Sequence, residues 1–240
     1  DRRALSLGAY RNLGDFKLSS RIEYREDDGP EVHSRQYVTS NSFTRVLDEN
    51  RRWLGQLNLA WTDDKLNGGR DARFVDLDVG YAYRPASNDN LNVIARYGFL
   101  FDLPTEGQAT LRPDERSHLV SVEGIYDLEN RWELAAKVAI RQGERRVFRD
   151  EGTWDDFGLR MVSTRARYAL TRKWDALVEY RWLSDVGGKE DRHGALLALY
   201  RHVNDHMKVG VGFNFTDFSD ELRIEDYESS GWFVDIVGMY

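Results

Sequence analysis

The chain contains no cysteine and only four prolines in 240 residues. No stretch approaches the ~18 consecutive apolar residues of a membrane helix. Without cysteine there are no disulfides and no thiolate metal centres, a usage that suits an exported protein. Pro30, Pro85, Pro104 and Pro113 all fall at loops or strand ends, as an uninterrupted hydrogen-bonded sheet requires. Mean hydropathy of -0.63, 31% charged residues and a net charge of -7 would suit an acidic, water-exposed protein. That balance, with no basic face, opposes a nucleic-acid role. Asp1-Arg2-Arg3 opens directly onto strand pattern, so a mature or truncated product is expected.

What is present is alternation. Segments of roughly ten to fourteen residues place an apolar side chain at every second position, the period of a strand whose two faces see different environments. In Trp174 to Trp182 one face carries Trp174, Ala176, Val178, Tyr180 and Trp182, and the other Asp175, Leu177, Glu179 and Arg181. The same split sets Trp53, Leu57, Leu59 and Trp61 against Gln56 and Asn58, and Trp132, Leu134, Val138 and Ile140 against Glu133, Lys137 and Arg141. Segments 3–13 and 35–47 are weaker, since neither phase is cleanly apolar.

Breaks between segments alternate in length. Gly14-Asp15, Asp48 to Arg51, Pro85 to Asn90, Glu129 to Arg131, Thr171 to Lys173 and Asn204 to His206 read as tight. Asp27 to Ser34, Asp63 to Asp71, Pro104 to Asp114, Glu144 to Asp155, Asp185 to Asp191 and Ser219 to Ser230 read as longer and more charged. Short turns on one side and long loops on the other are the organisation of a transmembrane β-barrel, whose polar lumen lowers average hydropathy. The expected fold is therefore all-β: an antiparallel, up-and-down transmembrane barrel in the bacterial outer membrane, forming one domain over residues 1–240. A water-soluble barrel or sandwich would bury the same apolar face instead.

Aromatics mark the expected membrane interfaces. Tyr126 and Trp132, and Tyr168 and Trp174, bracket tight turns at a spacing of six, and Tyr10 and Phe16 share it. Trp53, Trp132 and Trp174 are expected in one girdle, and Trp61, Trp182 and Trp232 in the other. At the C-terminus Trp232, Val234, Ile236 and Tyr240 share a face, and the segment resembles the terminal signal read by the barrel-insertion machinery of Gram-negative bacteria.

Val209 to Asp220 with the Gly231 to Tyr240 strand, Asn67 to Pro85, Pro113 to His118 and Asp191 to Tyr200 carry a broader resemblance. They are similar to blocks in the C-terminal barrel of very large, repeat-bearing envelope proteins of Gram-negative bacteria. The resemblance implies an outer-membrane domain belonging to a longer polypeptide, and it brings no catalytic residues.

Thirteen strands are expected, ending near residues 13, 26, 47, 62, 84, 103, 128, 143, 170, 184, 203, 218 and 240. Single-chain bacterial barrels have even strand numbers, so about 14 are expected in the closed structure, with about 12 the alternative if a weak segment is not a strand. The extra strand would come from upstream or from another chain, because an open edge cannot stay unpaired in lipid.

The expected lumen lining includes Arg21, Glu23, Asp76, Asp78, Arg96, Glu123, Lys137, Arg141, Arg165, Arg167, Glu179 and Arg181, with signs balanced enough for cross-strand ion pairs. No cofactor and no metal is expected. His33, His118, His193, His202 and His206 have no ligand spacing and read as exposed or interfacial, while Asp217, Asp220, Glu221, Glu225, Asp226 and Glu228 read as a solvated loop. Asp76-Leu77-Asp78 and Asp191-Arg192-His193 superficially resemble the acidic and Asp-His pairs of omptin-type barrel proteases. Their strands would lie nearly opposite in a fourteen-stranded ring, so no enzyme is expected. The expected role is a membrane anchor or conduit for a larger surface or envelope protein, with a free-standing porin for small hydrophilic solutes as the alternative. Expected partners are outer-membrane lipid and lipopolysaccharide, the insertion machinery, and upstream domains or another chain.

Overall fold

A computed structural model describes the chain except for residues 30–32, 65–71, 89, 105–112, 129–130, 148–151, 188–189, 205, 217, 219–221, 223–229 and 239–240. Among the described residues there are thirteen strands and no helix: β1 (Arg2–Asn12), β2 (Phe16–Asp28), β3 (His33–Val46), β4 (Arg51–Asp64), β5 (Ala72–Tyr83), β6 (Leu91–Leu103), β7 (Asp114–Leu128), β8 (Trp132–Arg146), β9 (Asp155–Thr171), β10 (Trp174–Asp185), β11 (Asp191–Asn204), β12 (Met207–Asn214) and β13 (Gly231–Gly238). The sheet order follows the sequence from β1 to β13, so the topology is an antiparallel meander. Both weak segments are strands, and the count of thirteen visible strands stands.

The chain divides into two compact units, one of Asp1–Tyr83, Ala95–Val120 and Arg141–Phe157, the other of Arg84–Ile94, Ser121–Ile140 and Gly158–Tyr240. In the first, β1 to β5 pair in continuous register, with Leu7 opposite Ile22, Ile22 opposite Thr39, Thr39 opposite Leu59 and Leu59 opposite Val75. In the second, β9 to β13 pair in turn, with Ala166 opposite Val178, Val178 opposite Leu197, Leu197 opposite Phe213 and Phe213 opposite Trp232, and with register shifts near the turns at Trp174/Asp175 and His202/Asn204.

Side-chain oxygens set the tight turns. Asn12 Oδ1 accepts from the Gly14 amide at 3.2 Å, Asp48 Oδ1 from Asn50 at 2.9 Å and Asn204 Oδ1 from His206 at 2.9 Å. Such Asx turns reverse the backbone locally, and Gly14 supplies the positive φ of 75° that the first reversal needs. Asp48 also accepts from Arg51 Nε at 2.6 Å, and this bond holds its carboxyl below the ordinary value.

One expected long loop is shorter than the sequence suggested. β2 runs to Asp28 and β3 begins at His33, because Arg25, Glu26, Asp27 and Asp28 lie opposite Gln36, Arg35, Ser34 and His33. Their charges extend the ladder instead of solvating a loop. β12, in the other direction, ends at Asn214 and not near residue 218.

Burial is inverted relative to a water-soluble protein. On β10, Val178 is 47% exposed while its neighbour Glu179 is 8% exposed. On β8, Leu134, Val138 and Ile140 are exposed and Arg141 is buried. A sheet that buries its ionic face and presents its aliphatic face outward is stable only where lipid meets the second face.

Candidate functional site

The polar face is the chemically active surface, and the alternation of each strand builds it. In the second unit its groups meet in close pairs. Arg167 Nη2 lies 2.9 Å from Glu133, His202 Nε2 lies 2.7 Å from Asp175 Oδ2, and Arg181 Nε donates to Glu179. Tyr200 Oη donates to Asp235 Oδ2 at 3.2 Å, and its ring lies where a Cβ on Gly210 would stand. Glycine at 210 thus lets a β11 side chain cross β12 and reach β13. Arg165 stands opposite Glu179, with its Nε buried and without a hydrogen-bond partner.

In the first unit a second network joins the loop-side ends of β7 and β8. Arg141 pairs with Glu115, both almost fully buried, and its Nε donates to Ser117 Oγ at 3.2 Å. Arg145 approaches Glu115 at 3.4 Å, Arg146 Nη2 meets Asp114 at 2.7 Å, and Arg116 pairs with Glu144. Trp154 is stacked by Arg116 and Arg146 at 4.7 and 4.8 Å, and the Arg145 guanidinium sits 4.1 Å from the Phe157 ring. Desolvated pairs of this kind lock strand ends together, since breaking one leaves an uncompensated buried charge.

Arg21, Glu23, Asp76, Asp78 and Arg96 stand on the polar face of the first unit, with Glu23 taking Arg25 at 2.6 Å and Arg21 at 3.3 Å. Arg96 is exposed, and Glu123 and Lys137 are half-buried. Asp76 accepts from the Asn58 amide at 3.4 Å, a hydrogen bond where ion pairing was expected. Sequence reasoning missed Asp114, Glu115 and Ser117, because a charged strand end next to a long loop reads as part of that loop. It also missed Met161 and Leu222, both buried. Nothing local distinguishes these from their neighbours.

Two histidines have defined partners. His193 is exposed, as expected, and lies on β11, where its Nδ1 meets Tyr180 Oη at 2.7 Å. His202 is half-buried near the turn end of β11, where its Nε2 lies 2.7 Å from Asp175 Oδ2. Among the described residues no three His, Asp or Glu side chains converge on a metal-sized site. The acidic positions 217, 220, 221, 225, 226 and 228 lie outside the described residues.

Aromatic pairs occupy the apolar face. Trp53 packs edge-on against Tyr81 at 5.1 Å, Trp132 lies 4.6 Å from Tyr168, and Arg201 covers Trp174 at 5.6 Å. Trp61 carries the Arg73 guanidinium at 4.7 Å, Trp182 is half-buried, and Trp232 meets Phe213 at 5.3 Å. Phe16 joins this face, opposite Arg45 and against Phe43, but Tyr10 does not. The β1–β2 register pairs even with odd numbers, as in Tyr10 with Ser19, so the six-residue spacing there crosses faces. Trp232, Val234 and Ile236 are exposed together, and Tyr240 lies outside the described residues. An apolar groove of about 840 Å³ runs over this face of the second unit, from Trp132 and Tyr168 past Val178 to Phe213 and Trp232.

No family model matches the chain, and no curated protein matches it in sequence. Solved structures do match in fold. The copper transporter OprC aligns over 98% of this chain and 48% of its own, at 14% identity and a TM-score of 0.60. The outer membrane channel DcaP of Acinetobacter baumannii aligns over 98% of this chain and 84% of its own, at 11% identity and a TM-score of 0.57. BamA from Haemophilus ducreyi lacking POTRA domains 1-3 aligns over 100% and 62%, at 11% identity and a TM-score of 0.51. The chain spans about half the length of OprC and of the siderophore receptor PiuA, 48% and 47%. What is shared is the fold, that of Gram-negative outer-membrane β-barrels.

Proposed function

We propose that the chain is the membrane-embedded part of a larger envelope protein, seated in the Gram-negative outer membrane, where it anchors that protein and offers a hydrated conduit along its polar face. The observation that carries this reading is the edge of the sheet. Among the described residues β1 pairs only with β2, and in a meander of thirteen strands β1 and β13 point the same way. One further strand, antiparallel to both, would satisfy two open edges that lipid does not tolerate. A strand from elsewhere in a longer polypeptide, or from another chain, is the natural source. Lipopolysaccharide and the barrel-insertion machinery are the partners such a domain requires.

We assign it no catalysis. Asp76 is engaged by Asn58 and His193 by Tyr180, each within its own hydrogen-bonded pair. A second reading, a free-standing channel for small hydrophilic solutes, draws on the likeness to DcaP, whose chain is covered over 84%. Expression of the chain alone and of the full reading frame, each assayed for heat-modifiable mobility and protease resistance in outer membranes, separates the two. The anchor reading expects the longer product to be the more resistant. A fully resistant, closed barrel from residues 1–240 alone would refute it in favour of the channel.

A further inference from the structure

The polar face of β1 to β5 differs from the closely paired face of the second unit. Its basic groups stand on β2, as Lys17, Arg21 and Arg25 with Glu23 between them, and its acids stand on β5, as Asp76 and Asp78. Level with Arg21 and Asp76 lie hydroxyls and amides, flanked on the same face by Val38, Ala60 and Leu54, with Arg52 at the turn end of β4. One row across the strands reads Arg21, Ser40, Asn58, Asp76, and the next reads Ser19, Ser42, Gln56, Asp78, each residue in register with the one before.

In the Arg21 row Asn58 Nδ2 donates to Asp76 Oδ2 at 3.4 Å. In the row of Arg25, Gln36 and Thr62, which meets Ala72 on β5, Arg25 Nη1 donates to Gln36 Oε1 at 3.2 Å and Gln36 Nε2 donates to Thr62 Oγ1 at 3.1 Å. Strands about 4.8 Å apart put three steps, roughly 14 Å, between the β2 and β5 backbones. The wall is also open. The Arg21 side chain is 61% exposed, and Ser40, Ser42 and Gln56 are exposed, whereas Asp175 and Glu179 in the second unit are buried.

We infer that this wall is a binding lane for small zwitterionic solutes, the anionic group directed to Arg21, the cationic group to Asp76, and the middle of the solute hydrogen-bonded by Ser40 and Asn58. A fixed, charge-separated surface lowers the energy of a solute with matching separated charge and does nothing comparable for a neutral one of equal size. The lane rests on the conduit reading above.

6-Aminohexanoate, long enough to reach from Arg21 toward Asp76, and its uncharged isomer 6-hydroxyhexanamide test it, in swelling of vesicles containing the full-length protein, with potassium chloride conductance measured in parallel. The zwitterion is expected to enter severalfold faster than its isomer. Arg21→Gln with Asp76→Asn should lower that ratio at least threefold. The exchanged pair, Arg21→Asp with Asp76→Arg, should restore it, which loss of structure would not do. Equal entry of the two isomers in the parent, or a ratio indifferent to these substitutions while conductance persists, overturns the lane alone. Absence of conductance in the parent overturns the conduit, and the lane with it.

Discussion

Replacing Val178 by Arg tests which face of the sheet meets lipid. Val178 lies midway along β10, flanked on its face by Ala176 and Tyr180, opposite Ala166 on β9 and Leu197 on β11. Every neighbour is apolar or aromatic, so the guanidinium would find no partner. An Arg at the midplane of the lipid face costs about 2 to 4 kcal/mol, which is roughly a 30- to 700-fold loss in folding equilibrium. Gln56→Arg is the matched control at mid-strand on the polar face, exposed, and opposite Asp78. It should change the equilibrium by under about 1 kcal/mol, since a solvated cation facing an acid gains or loses little. Glu179→Arg would be a poor control, because Glu179 is buried with Arg181 and opposite Arg165, and reversal there would cluster three arginines. The assay is urea-dependent folding into lipid vesicles, read by heat-modifiable mobility. Equal loss in both variants, or loss in Gln56→Arg alone, would show that the faces are reversed or the register is off by one residue.

Arg141→Ala should lower the urea midpoint by the equivalent of about 3 kcal/mol or more, because Glu115 stays buried beside a vacated partner; a change under about 1 kcal/mol would show the pair to be inert. Asp48→Asn should weaken the β3–β4 turn at neutral pH. The Arg51 bond holds the Asp48 carboxyl low, so its contribution is present above the unfolded carboxylate value and is lost as pH falls through the folded one. The gap between variant and parent should therefore shrink below about pH 4, and a gap that grows with acid would contradict the assignment. In whole cells, cysteine at Gly152 should label from outside and cysteine at Glu49 should not, with the opposite result inverting the topology. Tyr240→Ala should impair membrane assembly more than Met239→Ala, and indifference to both would remove the terminal signal.

Strands were legible wherever lipid and water fall on opposite faces, as in β8 and β10, because the solvent difference imposes a period of two on composition. It was less legible in β3, whose outward Thr39 and Asn41 satisfy each other: Asn41 donates to Thr39 Oγ1 at 3.0 Å and accepts from Ser20 at 2.6 Å. Such a cluster erases the apolar phase without disturbing the strand. Register was not legible either, and the misplacement of Tyr10 follows from that, since hairpin parity depends on turn geometry. Residues of the polar face could be named, but their pairing could not. Glu133 with Arg167 and Asp175 with His202 depend on which strands adjoin and at what stagger.

The strict neighbour-to-neighbour order of the sheet also bears on how the protein comes into being. Every hairpin can form its ladder as soon as its second strand emerges, and closing so short a loop costs little chain entropy. Under the proposed closure by a further strand, only that last pairing is long-range. A domain of this design should thread into the bilayer quickly as a growing ribbon and then wait for one slow search, during which an uncovered edge would be open to capture by a stray strand.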